Sequence, residues 1–324
     1  MMVLRPAGEL SPAPRSPVFC PSPAVWLFAA GALAPGLAWM AAAGVRAPAS
    51  EAGVLAGVVL ALLAVAFVYA RLRPAPALAA GCSAAAFLIF FSAAGAVLSY
   101  AGAWLALPLR DPAFAAADAA LGFDWSAHLA FVAQRPALAQ ALTWAYFSCQ
   151  AQLIALIFFL ALTAQDALAR FMTLYAATGV ATIALAAAFP ALGAYAHHAP
   201  GDLLAEALPD ALSGRWHMND LLALREGRFQ DLRLWRVEGL ISFPSFHTAL
   251  AVLFIHAFAH ARYLRVPVVV LNAAMILSTL AVGGHFLVDV IAGGAIAVIA
   301  ILAQRAWVRR AHPAQAPALT VSPA

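Results

Sequence analysis

The sequence predicts an all-α integral membrane protein with about eight transmembrane helices. Three observations predict it. Hydrophobic residues make up 65% of the 324 residues and charged residues 10%, whereas a soluble domain carries roughly 25% charged residues. Eight apolar runs are long enough to cross a bilayer, which takes roughly 17–25 residues. No stretch shows convincing strand alternation, so the backbone polar groups must be satisfied inside helices.

Residues 1–23 are rich in Pro and Ser and read as a disordered tail. The apolar runs follow near 24–43, 51–70, 77–107, 137–163, 170–190, 243–261, 265–284 and 285–304. The first ends in "AWMAAAG", which mimics a leader cleavage site. Its apolar stretch is longer than a leader needs, which favours an uncleaved anchor. The third and fourth are overlong and imply tilt or a helical extension. Only Gly283 and Gly284 separate the last two. Segment 108–136 mixes polar and apolar residues and reads as an interfacial helix. Trp125, Trp216 and Trp235 suit a headgroup-level belt.

Every basic residue is Arg, and the Arg residues set the orientation. With the N-terminus in the cytoplasm, the cytoplasmic segments hold Arg5, Arg15, Arg71, Arg73, Arg170, Arg262, Arg265, Arg305, Arg309 and Arg310 against Glu9 and Asp166. The opposite face holds the other eight Arg and twelve acids. The positive-inside bias therefore turns segment 191–242 and the Gly283-Gly284 turn outward. The formal charge of +4 is scattered over loops and gives no basis for nucleic-acid binding. Cys20, Cys82 and Cys149 have no metal-ligand spacing and imply no disulfide framework.

Two outward motifs interrupt the apolar pattern: "ISFPSFHT" and "GGHFLVD". His285 and Asp289 are four apart, which on a helix places them on one face. The carboxylate then accepts from one imidazole nitrogen and leaves the other free to attack. Pro244 suits a first helical turn, and Ser242 or Ser245 can cap it. A phosphate at that helix N-terminus has His247 beside it as an acid. Bland readings compete with each part. His256 and His260 read as interfacial residues, Pro-Ser as a cap, and a His–Asp pair as a helix fastener. The two motifs together, about forty residues apart on one face, favour chemistry.

These motifs resemble the second and third signatures of the type 2 phosphatidic acid phosphatase superfamily, over roughly residues 77–304. The resemblance implies a six-helix catalytic core at 77–304, preceded by two extra transmembrane helices at 24–70 and followed by a cytoplasmic tail at 305–324. It implies His285 as nucleophile, Asp289 as its orienting carboxylate and His247 as the acid. Ser245 and Gly284 are implied to help hold the phosphate. The family's first motif needs a Lys, and this chain has none. The third motif usually has an Arg six residues before its His, and Thr279 stands there. Both departures resemble the inositolphosphotransferase-like branch, similar to fungal inositol phosphorylceramide synthase. A substitute cation is expected in "ALREGRFQDLRLWRVEG", among Arg225, Arg228, Arg233 and Arg236, with Arg225 favoured.

The expected function is therefore a membrane lipid phosphatase or phosphotransferase working through a phosphohistidine. It needs no metal and no cofactor. Its partners are a lipid phosphate and a hydroxyl acceptor where transfer replaces hydrolysis, and the oligomeric state is open. Its expected place is a bacterial inner membrane, with the site on the periplasmic face. Two rivals are a transporter using His285 and Asp289 as a proton relay, and a non-catalytic scaffold of the same fold. Against the relay, the ionisable residues sit at helix ends and no inverted repeat is visible.

Overall fold

A computed structural model describes residues 19–199, 215, 217–259 and 261–311. Most of the expected N-terminal tail, Trp216, His260 and the stretch beyond 311 lie outside the described residues. Among the described residues six helices are long and apolar enough to cross a membrane. They are α1 (Pro23–Ala43), α2 (Ala49–Arg71), α3 (Pro76–Trp104), α6 (Pro136–Thr163), α7 (Gln165–Ala188) and α12 (Leu287–Ala311). Between them lie the shorter α4 (Asp111–Ala120), α5 (Trp125–Ala133), α8 (Ala194–His198) and α9 (Met218–Arg225).

The remaining two expected spans are shorter than their apolar runs. They are α10 (Phe246–Ala257), of 12 residues, and α11 (Arg265–Ala281), of 17. At about 1.5 Å per residue α10 covers only about 18 Å, well short of a hydrocarbon core of about 30 Å. The run around it is apolar because its flanks are buried in protein. Ser245, just before the helix, has no exposed surface, and Phe258, just after it, is also buried. Pro244 stands outside the first turn, because Ser245 is the N-cap.

The central helix is α3, with α1 and α2 packed against it on one side and α6 and α7 on another. Helix α10 is enclosed by α6, α7, α11 and α12. Apolar helices gain little from leaving lipid for each other, so close packing must hold them. Phe87 and Phe91 stack at 5.8 Å, Phe91 meets Tyr175 edge-on at 5.4 Å, and Phe171 stacks on Phe254 at 6.1 Å. Asn272 of α11 donates to Gln152 Oε1 of α6 at 2.7 Å, a polar fastener inside the apolar layer.

The connections gather at two opposite ends. At one end Cys20 N–H donates to Ser83 Oγ, and Gln304 donates to Arg170 O. At the other, Arg46 N–H donates to Gln230 O, Arg110 N–H to Pro190 O and Ala194 N–H to Gly284 O. This second end carries the motifs. Segment 108–136 forms two helices, not one at the surface. Trp125 is buried, with its indole N–H donating to Leu280 O at 2.9 Å, so it does not belong to a headgroup belt. Trp235 is exposed, as a belt residue should be.

Candidate active site

Helix α12 begins two residues after His285, so the His–Asp pair is not a pair on one helix face. His285 sits in the extended entry segment and Asp289 in the first turn. They meet all the same: His285 Nδ1 lies 3.3 Å from Asp289 Oδ2. That same oxygen accepts from Phe286 N–H at 3.0 Å and from Ser242 Oγ at 3.2 Å. The Phe286 bond is half of a capping box, in which a carboxylate in the first turn reaches back to the N-cap N–H. Asp289 thus closes the helix end and fixes the His285 ring with one oxygen. Because Nδ1 faces the carboxylate, Nε2 is the nitrogen left for chemistry.

Helix α10 arrives at the same point. Ser245 N–H donates to Asp289 O at 3.0 Å. Gly293 lets the two segments touch, since a Cβ there would fall 2.1 Å from Ser245 O. His247 stacks on Tyr146 of α6, with ring centroids 4.3 Å apart. Tyr146 also lies beside Gly283, where a Cβ would come within 2.9 Å of Tyr146 Cε2 and 3.0 Å of His285 Cδ2. His247, Tyr146, Ser242, Gly283 and His285 all line one cavity of about 530 Å³. It runs between α3, α6 and α7, past Phe91, Gly95, Gly179 and Ile183.

Three contributors escaped the sequence reading. Asp111 and Asp118, one on each end of α4 and both buried, hold the segments that build the site. Asp111 accepts from Leu192 N–H at 3.1 Å and Gly193 N–H at 2.8 Å. Asp118 accepts from Leu287 N–H at 2.8 Å and Val288 N–H at 2.9 Å. It thereby satisfies two of the donors that a helix start leaves orphaned, and its charge suits that end of the dipole. The third is His217, buried, lining the cavity, with Nε2 3.0 Å from Leu192 O. The available signal was two acids seven apart in "DPAFAAAD"; nothing local distinguished His217.

The three residues expected to grip phosphate are not among those lining the cavity. Arg225 donates to Leu107 O at 2.9 Å, is half-buried and does not line the cavity. The guanidinium closes a loop carbonyl at the membrane end. Ser245 has its hydroxyl turned to Thr248, accepting from its N–H at 3.4 Å and its Oγ1 at 3.2 Å. The helix cap uses that oxygen, and Ser242 takes the cavity wall instead. Gly284 adopts φ 65°, and its carbonyl accepts from Ala194 N–H. Among the described residues no Arg lines the cavity, and no group of three or more His, Cys, Asp or Glu is gathered to hold a metal ion. The carboxyl on its wall is Glu238, held above the usual carboxylate range by burial and by Asp220.

A buried His–Asp pair and a second His beside a cavity among membrane-spanning helices mark an integral membrane protein with a candidate catalytic centre. The chain belongs to the PAP2 superfamily, whose family model matches residues 112–303. That span starts on α4 and ends within α12, so it takes in the Asp118 strut as well as both motifs. No curated protein and no solved structure matches the chain. Membership points to phosphatase-type activity on phosphate esters.

Proposed function

We propose that the protein is a lipid phosphatase or phosphotransferase that works through a phosphohistidine on His285. One observation carries the reading: His285 is clamped through Nδ1 by a buried carboxylate, with Nε2 left over, beside His247 in a cavity among apolar helices. Nε2 attacks phosphorus and the bond to the lipid oxygen breaks. His247 gives its proton to that leaving oxygen. It then takes a proton from water or from a hydroxyl acceptor, whose oxygen displaces the imidazole. Asp289 stabilises the imidazolium that the attack creates. Cavity walls of Phe91, Gly95 and Ile183 suit an acyl chain. The absence of both family cations supports kinship with the inositolphosphotransferase-like branch.

Quenching in alkaline detergent tests it. Protein incubated with a radiolabelled lipid phosphate should carry acid-labile, base-stable label on His285, and His285→Ala should carry none and release no phosphate. Label or turnover that survives the substitution sinks the assignment.

The orientation follows from charge. The site end is proposed to face the periplasm of a bacterial inner membrane, because the opposite end holds Arg71, Arg73, Arg170, Arg262, Arg265, Arg305, Arg309 and Arg310. A periplasm-dependent reporter fused near residue 215 should be active, and one fused after Arg310 silent. The reverse pattern would overturn the orientation.

A further inference from the structure

A phosphoryl group needs preorganised positive charge or N–H donors for its non-bridging oxygens. Among the described residues, the side chain lining the cavity that can become a cation, besides His247 and His285, is His217. We propose that His217 holds the phosphate in place of the missing arginine, as an imidazolium whose Nδ1–H reaches a non-bridging oxygen. The proposal rests on reading the cavity as the site of phosphoryl transfer.

The geometry assigns the tautomer. Leu192 O can only accept, so the Nε2 that lies 3.0 Å from it carries a hydrogen. The neutral ring therefore presents a bare Nδ1 lone pair, and among the described residues nothing is bonded to that atom. A lone pair repels an anion; a proton turns the same atom into a charge-assisted donor. Anion binding and proton uptake are then a single event.

One hydrogen bond anchors the ring. Its carbonyl partner belongs to the 192–193 turn, which Asp111 grips through two N–H groups. Two groups act on His217 through charge, His285 from the entry to α12 and Asp111 from α4. His247, Tyr146 and Glu238 share the cavity with it. Burial, seconded by His285, pulls the ring below the ordinary histidine range, while the Leu192 carbonyl and Asp111 oppose the fall. Burial thus favours the neutral ring, and a bound anion raises its proton affinity. Where pH lies above the free value and below the bound one, anion affinity falls about tenfold per pH unit.

Tungstate, a phosphate mimic whose charge is constant near neutrality, provides the test. Calorimetry of the full-length protein in detergent, in two buffers of different ionisation heat, counts protons taken up on binding. The wild type should take up protons on binding tungstate just above neutral pH, where the anion is monomeric, approaching one per site. His217→Gln can still donate to Leu192 O. It should bind about 10- to 100-fold more weakly, the span of one hydrogen bond to a charged group, and without that uptake. His217→Arg supplies a fixed charge and should bind with no uptake. A Gln variant equal to the wild type in affinity and uptake overturns the proposal, as does a wild type that binds without uptake. If the Gln variant does not fold, a folded Arg variant blind to tungstate overturns it. A wild type that holds no tungstate overturns it too; lipid-phosphate turnover in the same preparation then shows whether the phosphoryl-transfer reading still stands.

Discussion

Helices α2 and α12 differ by two residues in length, 23 against 25, and both are apolar enough to span. They do different work. Helix α2 buries only Val59, Ala66 and Ala70, packs chiefly on α3, and turns Leu60 and Phe67 outward. Its polar tie is Glu51, which accepts from Leu234 N–H at 2.7 Å. Helix α12 has its first donors claimed by side chains: Leu287 and Val288 N–H by Asp118, and Phe286 N–H by Asp289. A carbonyl in its first turn takes Ser245 N–H. Hydropathy makes the two alike because it measures only the solvent a helix tolerates. What separates them is which groups satisfy the helix ends, and that decides where a histidine can be held still.

The comparison breaks most easily at Asp289. Asp289→Asn keeps an oxygen for Phe286 N–H but loses the charge that supports an imidazolium, so turnover should fall by about 10³- to 10⁴-fold with the helix intact. Near wild-type turnover of lipid phosphate would leave α12 no more than a span. Asp118→Ala should do less to chemistry and more to structure. It strands two buried N–H groups at about 1–3 kcal/mol each, so thermal unfolding in detergent should come markedly earlier and turnover should drop. An unchanged unfolding profile would mean that water replaces the carboxylate at no cost. Leu60→Ala on the outer face of α2 should shift stability by no more than about 0.5 kcal/mol and leave turnover alone. A larger loss in the same assays would show that α2 packs against something on that face.

Spans are legible in sequence because a bilayer demands length and apolarity and nothing else. The runs at 24–43, 51–70 and 137–163 accordingly match α1, α2 and α6 closely. The 243–261 run misleads because burial in protein and burial in lipid select the same residues, so α10 is shorter than its apolar run. His285 and Asp289 stood out because their partnership is local. Their geometry was read as a helix face and is instead an entry segment closed by a cap. Asp118 and His217 were silent for one reason: each bonds a backbone group far along the chain, 169 residues away for Asp118 and 25 for His217. A backbone group has no side-chain identity to read. Arg225 was favoured on charge alone, and charge without a direction did not place it at the cavity.

The Asp118 strut also bears on biosynthesis. Its carboxylate is made 169 residues before the first N–H group that it satisfies, and those N–H groups open the last span. While a ribosome is still delivering α1 to α11, the chain holds His217 and His247 but no His285 and no Asp289. On the proposed chemistry, an unfinished chain has no nucleophile to turn on the lipids around it. On that chemistry, competence waits until α12 has entered and seated on α4.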